Sequence, residues 1–274
     1  MYSPPADPAT EQAMRSALHA AARALDATVT GPPAWGWHGR TLSHRAEHPR
    51  HGACWLRLAC APAGKQGGKI WEGTAEAARA FDGRVTKPRL HAVHDHDTDG
   101  AAYRAELTQY IASPTVAADP VIRHPIDVPD TWWKTLRTDL DTIAATPTTR
   151  VAVRDEWIAR TVPTVTGHPA PRVTAWTTAH GDLHLANLTS DGTLLDWEGW
   201  GRAPAGYDAA LLLGYALLQP ALAARIRREF DDLLDTAAGR AAQLVVAAEL
   251  LQSVGRGDHP DLEAPLREWA AAVA

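Results

Sequence analysis

Apolar and polar positions along the chain change their period near residue 112. Over residues 10–27, TEQAMRSALHAAARALDA spaces Met14, Leu18, Ala21, Ala22 and Leu25 at three- and four-residue intervals, the signature of one helix face. Gly31-Pro32-Pro33 is expected to stop that helix. The period then drops to two. TLSHRAEH and ACWLRLACA, joined by the turn Pro49-Arg50-His51-Gly52, read as a β-hairpin. In its second strand Trp55 and Arg57 share one face, Leu56 and Leu58 the other. The loop AGKQGGK leads into an expected helix, IWEGTAEAARAF. LHAVH and AAYRAELTQYI read as two further strands around the acidic turn DHDTDG.

After Ser113-Pro114 the strand signals fade. DTWWKTLRTDLDTIA and VRDEWIARTV are helical patterns. HGDLHLANLTSDGTLLDWEG reads as loop, strand, turn, strand. The remainder is nearly all helix: YDAALLLGYALL, PALAARIRREFDDLLDTA, GRAAQLVVAAELLQSV and LEAPLREWAAAV. No internal repeat is present. The pattern describes an α+β protein with a smaller, mostly β part over residues 1–112 and a larger helical part over 113–274.

Composition narrows the class. With 274 residues, 45% of them hydrophobic and 22% charged, the chain can bury a sizeable core, which excludes a disordered or fibrous protein. No apolar run approaches the roughly 20 residues of a membrane span, and the N-terminus lacks the pattern of a secretory signal. Cys54 and Cys60 are too few for a disulfide framework. The cytoplasm is therefore the expected compartment. A net charge of −5 provides no basic field to draw in nucleic acid.

The chemistry concentrates in His180-Gly181-Asp182-Leu183-His184-Leu185-Ala186-Asn187, with Asp196-Trp197-Glu198 following. Asp182 and Asn187, five apart on a loop, can face one pocket. The turn Ser190-Asp191-Gly192 then delivers Asp196. Asn187 and Asp196 are two hard oxygen donors, suited to Mg²⁺, which takes few protein ligands and completes its octahedron with phosphate and water. Asp182 is left to orient a hydroxyl and accept its proton. This is the working set for phosphoryl transfer, a reaction that depends on positioning and charge neutralisation. His180 and His184, at i and i+4, can also be read as a metal pair or as two packed loop histidines. His180 is expected to brace the loop, and Asp208 to tie down loop N–H groups.

H-G-D-L-H-x-x-N followed by L-D-W-E closely resembles the aminoglycoside phosphotransferase and choline kinase-like branch of the protein-kinase-like fold, and Gly206-Tyr207-Asp208 resembles that family's Y-D-hydrophobic segment. The resemblance is strongest over residues 180–210. It implies a small β-rich N-lobe that binds nucleotide and a larger helical C-lobe that carries catalysis and substrate. It implies transfer of the γ-phosphate of ATP, or of GTP, to a hydroxyl of a small molecule. A kinase acting on a peptide or protein would use the same catalytic set, and a nucleotide-binding regulatory module is the third reading. The acceptor's identity and the oligomeric state are not encoded in any recognisable motif.

The same resemblance calls for a strand lysine on the nucleotide phosphates and a helix glutamate beside it. The chain has four lysines, Lys65, Lys69, Lys87 and Lys134, none in that strand. Arg57 stands where the lysine belongs, with Lys69 or Lys65 as alternatives. Arginine is a planar fork rather than a point charge, yet it grips phosphate well. Glu76, or Glu72 one turn earlier, is the expected helix partner. Gln109, Tyr110 and Ile111 fall at the family's hinge and would recognise adenine through their backbone. Residues 36–41 are expected to form either a phosphate-covering loop or a plain turn.

Two further features read as structural. Asp95, Asp97, Asp99, Gly100 and Glu106 satisfy a calcium-loop spacing, but Pro88 upstream and the alternation from Tyr103 onward describe a hairpin turn instead of a helix-flanked loop. His91, His94 and His96 beside it could bind adventitious metal, but a solvated turn is the expected reading. Most of the eleven tryptophans are expected in packing, with Trp197 and Trp200 alone close enough to the motif to line a substrate pocket.

Overall fold

The computed structural model describes residues 3–36, 38–98 and 100–274. The chain divides into two compact units: residues up to Asp82 together with Lys87–Ala112, and Gly83–Thr86 together with Ser113–Ala274.

The first unit is a five-stranded antiparallel sheet with one helix on each face. Helix α1 (Pro8–Ala24) starts where Asp7 accepts the N–H groups of Ala9 and Thr10, with Pro8 in the first turn. Strands β1 (Thr28–Trp35), β2 (Thr41–His48), β3 (Gly52–Pro62), β4 (Leu90–Thr98) and β5 (Ala101–Gln109) assemble in the order β1-β2-β3-β5-β4. Met14, Leu18 and Ala21 of α1 pack on the face formed by Leu42, Leu56, Leu58, Ala105 and Leu107. Helix α2 (Lys69–Phe81) serves the opposite face, where Trp71 meets Ala59 and Ala102.

Gly31-Pro32-Pro33, expected only to end α1, instead lies inside β1. β1 is an edge strand with an irregularity between Thr30 and Ala34, the one setting in which proline's missing N–H costs no ladder bond. The acidic segment joins β4 to β5, so strands rather than helices flank it. Asp99 lies outside the described residues.

The second unit is helical. α3 (Asp130–Ala144), α4 (Asp155–Thr166), α5 (Tyr207–Tyr215), α6 (Pro220–Glu229), α7 (Asp231–Leu234), α8 (Ala237–Val254) and α9 (Glu263–Val273) form its body. α8 is buried almost all round, from Ala241 to Leu251, which makes it the central element. The expected single helix over 220–237 breaks at Phe230, a fully buried side chain on non-helical backbone. Two four-residue strands, β6 (Trp176–Ala179) and β7 (Gly201–Pro204), pair antiparallel on either side of the motif. The expected strand pair within the motif reduces to one bridge, Leu188 to Leu194. Buried Asp139 of α3 accepts the N–H of Thr86, and the Thr86 carbonyl accepts the N–H of Leu194, which ties residues 83–86 to this unit.

Among the described residues no helix is long and apolar enough to cross a membrane.

Candidate functional site

Asp208, in the first turn of α5, accepts the backbone N–H groups of His180 at 2.7 Å and Gly181 at 3.0 Å. The loop therefore begins from an anchored point. Gly181 has φ +83°, and a Cβ there would lie 2.6 Å from the Gly199 carbonyl oxygen. Glycine is required at this position both by conformation and by the close approach of the segment carrying Glu198.

His180 is fully buried, edge-on to Trp197 at 4.9 Å. Its Nε2 lies 2.9 Å from the Leu195 carbonyl, which can only accept, so Nε2 carries the proton. Burial pushes the imidazole below its ordinary pKa, in agreement with a neutral ring. Leu195 in turn donates its N–H to the Asn187 carbonyl at 2.8 Å. Asn187 and the residue before Asp196 are thus joined directly. The Asp191 carboxylate accepts from Ser113, Thr189 and Thr193 and closes the intervening turn, where Gly192 takes φ +87°. These bonds pull the Asp191 carboxyl down to about 2 although partial burial works the other way.

Asn187 ends a short 3-10 turn, Leu185–Asn187, and its Nδ2 donates to the Asp182 carbonyl at 3.0 Å and to Asp182 Oδ2 at 3.3 Å. With the amide nitrogen committed to Asp182, Oδ1 is the atom this side chain offers to a cation. Asp196 adds an exposed carboxylate on left-handed backbone, φ +57°, a conformation that a non-glycine residue holds only where its surroundings impose it. Two hard oxygen donors of this kind fit a small dication that fills its other positions from phosphate and water. Among the described residues no three His, Cys, Asp or Glu side chains group to hold a metal by themselves.

Enclosure by the surrounding protein and the neighbouring carboxylates Asp196, Glu249 and Glu198 push the Asp182 carboxyl up to about 8, against the pull of Asn187. Because 48% of its side chain is open to solvent, the crowding of carboxylates is the firmer of the two causes. Asp182 is thus held by an amide and crowded by its own kind, which favours its protonated form until a cation relieves the crowding. His184 stands 3.7 Å away through Nε2, but burial pushes it down to about 4, so it faces Asp182 as a neutral ring packed edge-on to Tyr215. With the Nε2 atom of His180 committed to a carbonyl, the two histidines are packed loop residues and not a metal pair.

Two contributors, Glu249 and Arg150, carry no signal in the sequence. Glu249 on α8 hydrogen-bonds the buried Tyr207 hydroxyl and adds its charge to the field at Asp182. Arg150 donates to the carbonyls of Glu198 and Trp200 at 3.1 and 3.0 Å and lies over the Trp200 ring. Trp197 and Trp200 are buried, the former donating Nε1–H to the Leu194 carbonyl, so both support the loop from beneath.

In the first unit, Arg57 donates from Nη1 to Glu106 Oε2 at 3.1 Å, across the β3–β5 ladder. This acidic partner was not anticipated. Glu76 is half-buried on α2, and Glu72 is exposed. The N–H groups of Gln109 and Tyr110 donate to the carbonyls of Arg89 and Ala53, so the sheet already uses these two amides. The Tyr110 ring lies under the Arg45 guanidinium at 4.9 Å and against Trp55. Residues 38–40 lie in the turn between β1 and β2, where the Gly36 N–H donates to the Thr41 carbonyl. Trp37 within it lies outside the described residues.

A five-stranded N-terminal sheet unit followed by a helical unit with this loop is the protein-kinase-like architecture of the aminoglycoside phosphotransferases. Aminoglycoside phosphotransferase APH(4)-Ia superimposes with a TM-score of 0.61 at 12% identity, covering 94% of this chain and 97% of that one. Amicoumacin kinase hAmiN, in complex with AMP-PNP, Ca²⁺ and Ami, gives 0.58 at 11%, covering 97% and 96%. The GDP complex of aminoglycoside 2'-phosphotransferase-IIIa gives 0.54 at 14%, covering 90% and 92%. No family model and no curated protein matches the sequence.

Proposed function

We propose that the chain is a Mg²⁺-dependent phosphotransferase that moves the γ-phosphate of ATP to a hydroxyl of a small molecule. The observation that carries this reading is the hydrogen-bonded unit of the loop: Asn187 holds Asp182 through its amide, and Leu195 ties Asn187 to the segment that presents Asp196. Asp182 orients the acceptor hydroxyl and takes its proton as the hydroxyl attacks. A dication held by Asn187 and Asp196 would offset the carboxylate crowding that raises the proton affinity of Asp182 and leave it ionised for that task. Asn187 and Asp196 would hold Mg²⁺, which when bound neutralises charge on the phosphates. Arg57 grips phosphate in the N-terminal unit. Adenine recognition by residues 109–111 falls to the groups that the sheet bonds of Gln109 and Tyr110 leave over.

The three solved structures named above are aminoglycoside phosphotransferases and an amicoumacin kinase, which supports a small-molecule acceptor over a polypeptide. The test is consumption of γ-phosphate with Mg²⁺ and either ATP or GTP over pooled hydroxyl metabolites, aminoglycosides and peptides. Turnover with a small-molecule pool is expected. Turnover with peptides alone would replace the acceptor class, and nucleotide binding without turnover on any pool would favour a regulatory module.

A further inference from the structure

The Arg57–Glu106 pair is built unlike an ordinary cross-strand ion pair. The two residues sit opposite each other in the β3–β5 register, on the face that α2 covers. Glu106 is 1% exposed, whereas Arg57 keeps 17% of its side chain open. The carboxylate is thus withdrawn from water while part of the Arg57 side chain remains open to it. Glu106 Oε1 accepts no hydrogen bond among the described residues. Burial raises the proton affinity of Glu106, and Arg57, the Thr74 hydroxyl and Arg104 oppose that rise.

An arrangement of this kind is a poor way to stabilise a sheet. Removing a carboxylate from water costs several kcal/mol, and an apolar pair of similar volume commonly does as well or better. The Leu56–Leu107 and Leu58–Ala105 neighbours on the other face show that this ladder accommodates apolar pairs. What the buried carboxylate does achieve is direction. It tethers a long, flexible cation through Nη1 and so restricts the directions the guanidinium can take. Position along the strand adds to this. Trp55, two residues away on the same face, and Thr108 opposite it complete a patch whose charged centre is the Arg57–Glu106 pair.

We infer that Glu106 is a positioning residue for Arg57: from the neighbouring strand it aims the guanidinium at a nucleotide's phosphates. The inference rests on the kinase reading above and adds a residue to it. Glu106 touches neither nucleotide nor acceptor and acts only through Arg57.

The experiment is a cycle of Arg57→Ala, Glu106→Gln and the double variant in the full chain, with Mg-ATP affinity measured by calorimetry and thermal unfolding measured in parallel. Arg57→Ala is expected to weaken ATP binding about ten- to a hundredfold, and Glu106→Gln about tenfold. In the Arg57→Ala background, Glu106→Gln should have no further effect on affinity, because its only route to the nucleotide is gone. The midpoint of unfolding should hold or rise in Glu106→Gln, since a buried charge is removed. Glu106→Asp keeps the charge but withdraws it by one methylene. It is expected to lose affinity as well, and it carries the test if the glutamine variant does not fold. Unchanged ATP affinity in Glu106→Gln or in a folded Glu106→Asp, or effects that simply add in the double variant, would overturn the inference while leaving the kinase reading intact. A wild-type chain that binds neither ATP nor GTP would overturn both.

Discussion

Asp208 receives the N–H of His180 at 2.7 Å, so the end of a buried helix sets the first residue of the loop that carries Asp182. The same carboxylate takes the N–H of Gly181. Asp208→Ala would leave both donors buried without partners, at a cost of about 3 kcal/mol. Asp208→Asn retains one acceptor oxygen and should cost less. Urea unfolding of the three proteins would show the order; equal midpoints would mean that water replaces the carboxylate.

Asp182→Asn retains the shape of the side chain and its contact with Asn187 but removes the proton acceptor. Turnover should fall by about 10²–10⁴-fold, with nucleotide affinity held near wild type. The comparison of kcat with a directly measured Kd for ATP checks both halves. Near-full turnover in the variant would remove Asp182 from the base role.

Asp196→Ala deletes one of two oxygen donors. Nucleotide affinity in wild type should rise when Mg²⁺ is added, and in the variant it should respond little. Calorimetric titration of ATP with and without Mg²⁺ decides this, and a wild type indifferent to Mg²⁺ would tell against the site.

Gly181→Ala tests the close approach that joins the two halves of the loop. The new Cβ would meet the Gly199 carbonyl oxygen at 2.6 Å, and the backbone is already left-handed there. The strain must be relieved by moving the segment that carries Asp196 and Glu198. Turnover should drop by at least tenfold, a barrier increase of about 1.4 kcal/mol, while the protein remains folded by circular dichroism. Wild-type turnover would show that the Gly199 segment can yield without disturbing the carboxylates.

The loop was legible in the sequence because its signal is local: Asp182, Asn187 and Asp196 lie within fifteen residues, and the Asp191-Gly192 turn marks the reversal. Helices α3, α5 and α8 were legible because each runs long enough to show a period or an apolar run. β1 was not, since Gly31-Pro32-Pro33 is read as punctuation wherever it occurs, and only an edge position makes it tolerable. Nor were β6 and β7, whose four residues each are too short to alternate visibly. The role of Glu106 was not legible either: its spacing from Asp95 satisfies a calcium-loop pattern that the flanking strands rule out, while its partner Arg57 lies 49 residues earlier. Glu249 and Arg150 act through long-range packing, for which a single sequence offers no pattern.

The titration of the loop should reveal two opposed contributions to stability. Burial pushes His184 down to about 4, while the unfolded chain titrates near 6.5. Between those values the unfolded state binds more protons, so this residue's contribution is complete above about pH 6.5 and is lost as pH falls towards 4. The full difference corresponds to about 3 kcal/mol. Fully buried His180 acts in the same direction. Asp182 acts in the opposite sense: its carboxyl, pushed up to about 8, makes the folded state bind more protons through the same window, so stability is lost as pH rises. A wild-type profile alone would therefore look flatter than either residue makes it. His184→Asn removes one side of the balance and should be relatively more stable than wild type at pH 5 than at pH 7.5. Asp182→Asn should shift the other way and become relatively more stable at pH 7.5. Urea unfolding at the two pH values, in EDTA and without nucleotide, would separate them, and parallel profiles for all three proteins would show that neither group's proton affinity differs between the folded and unfolded chain.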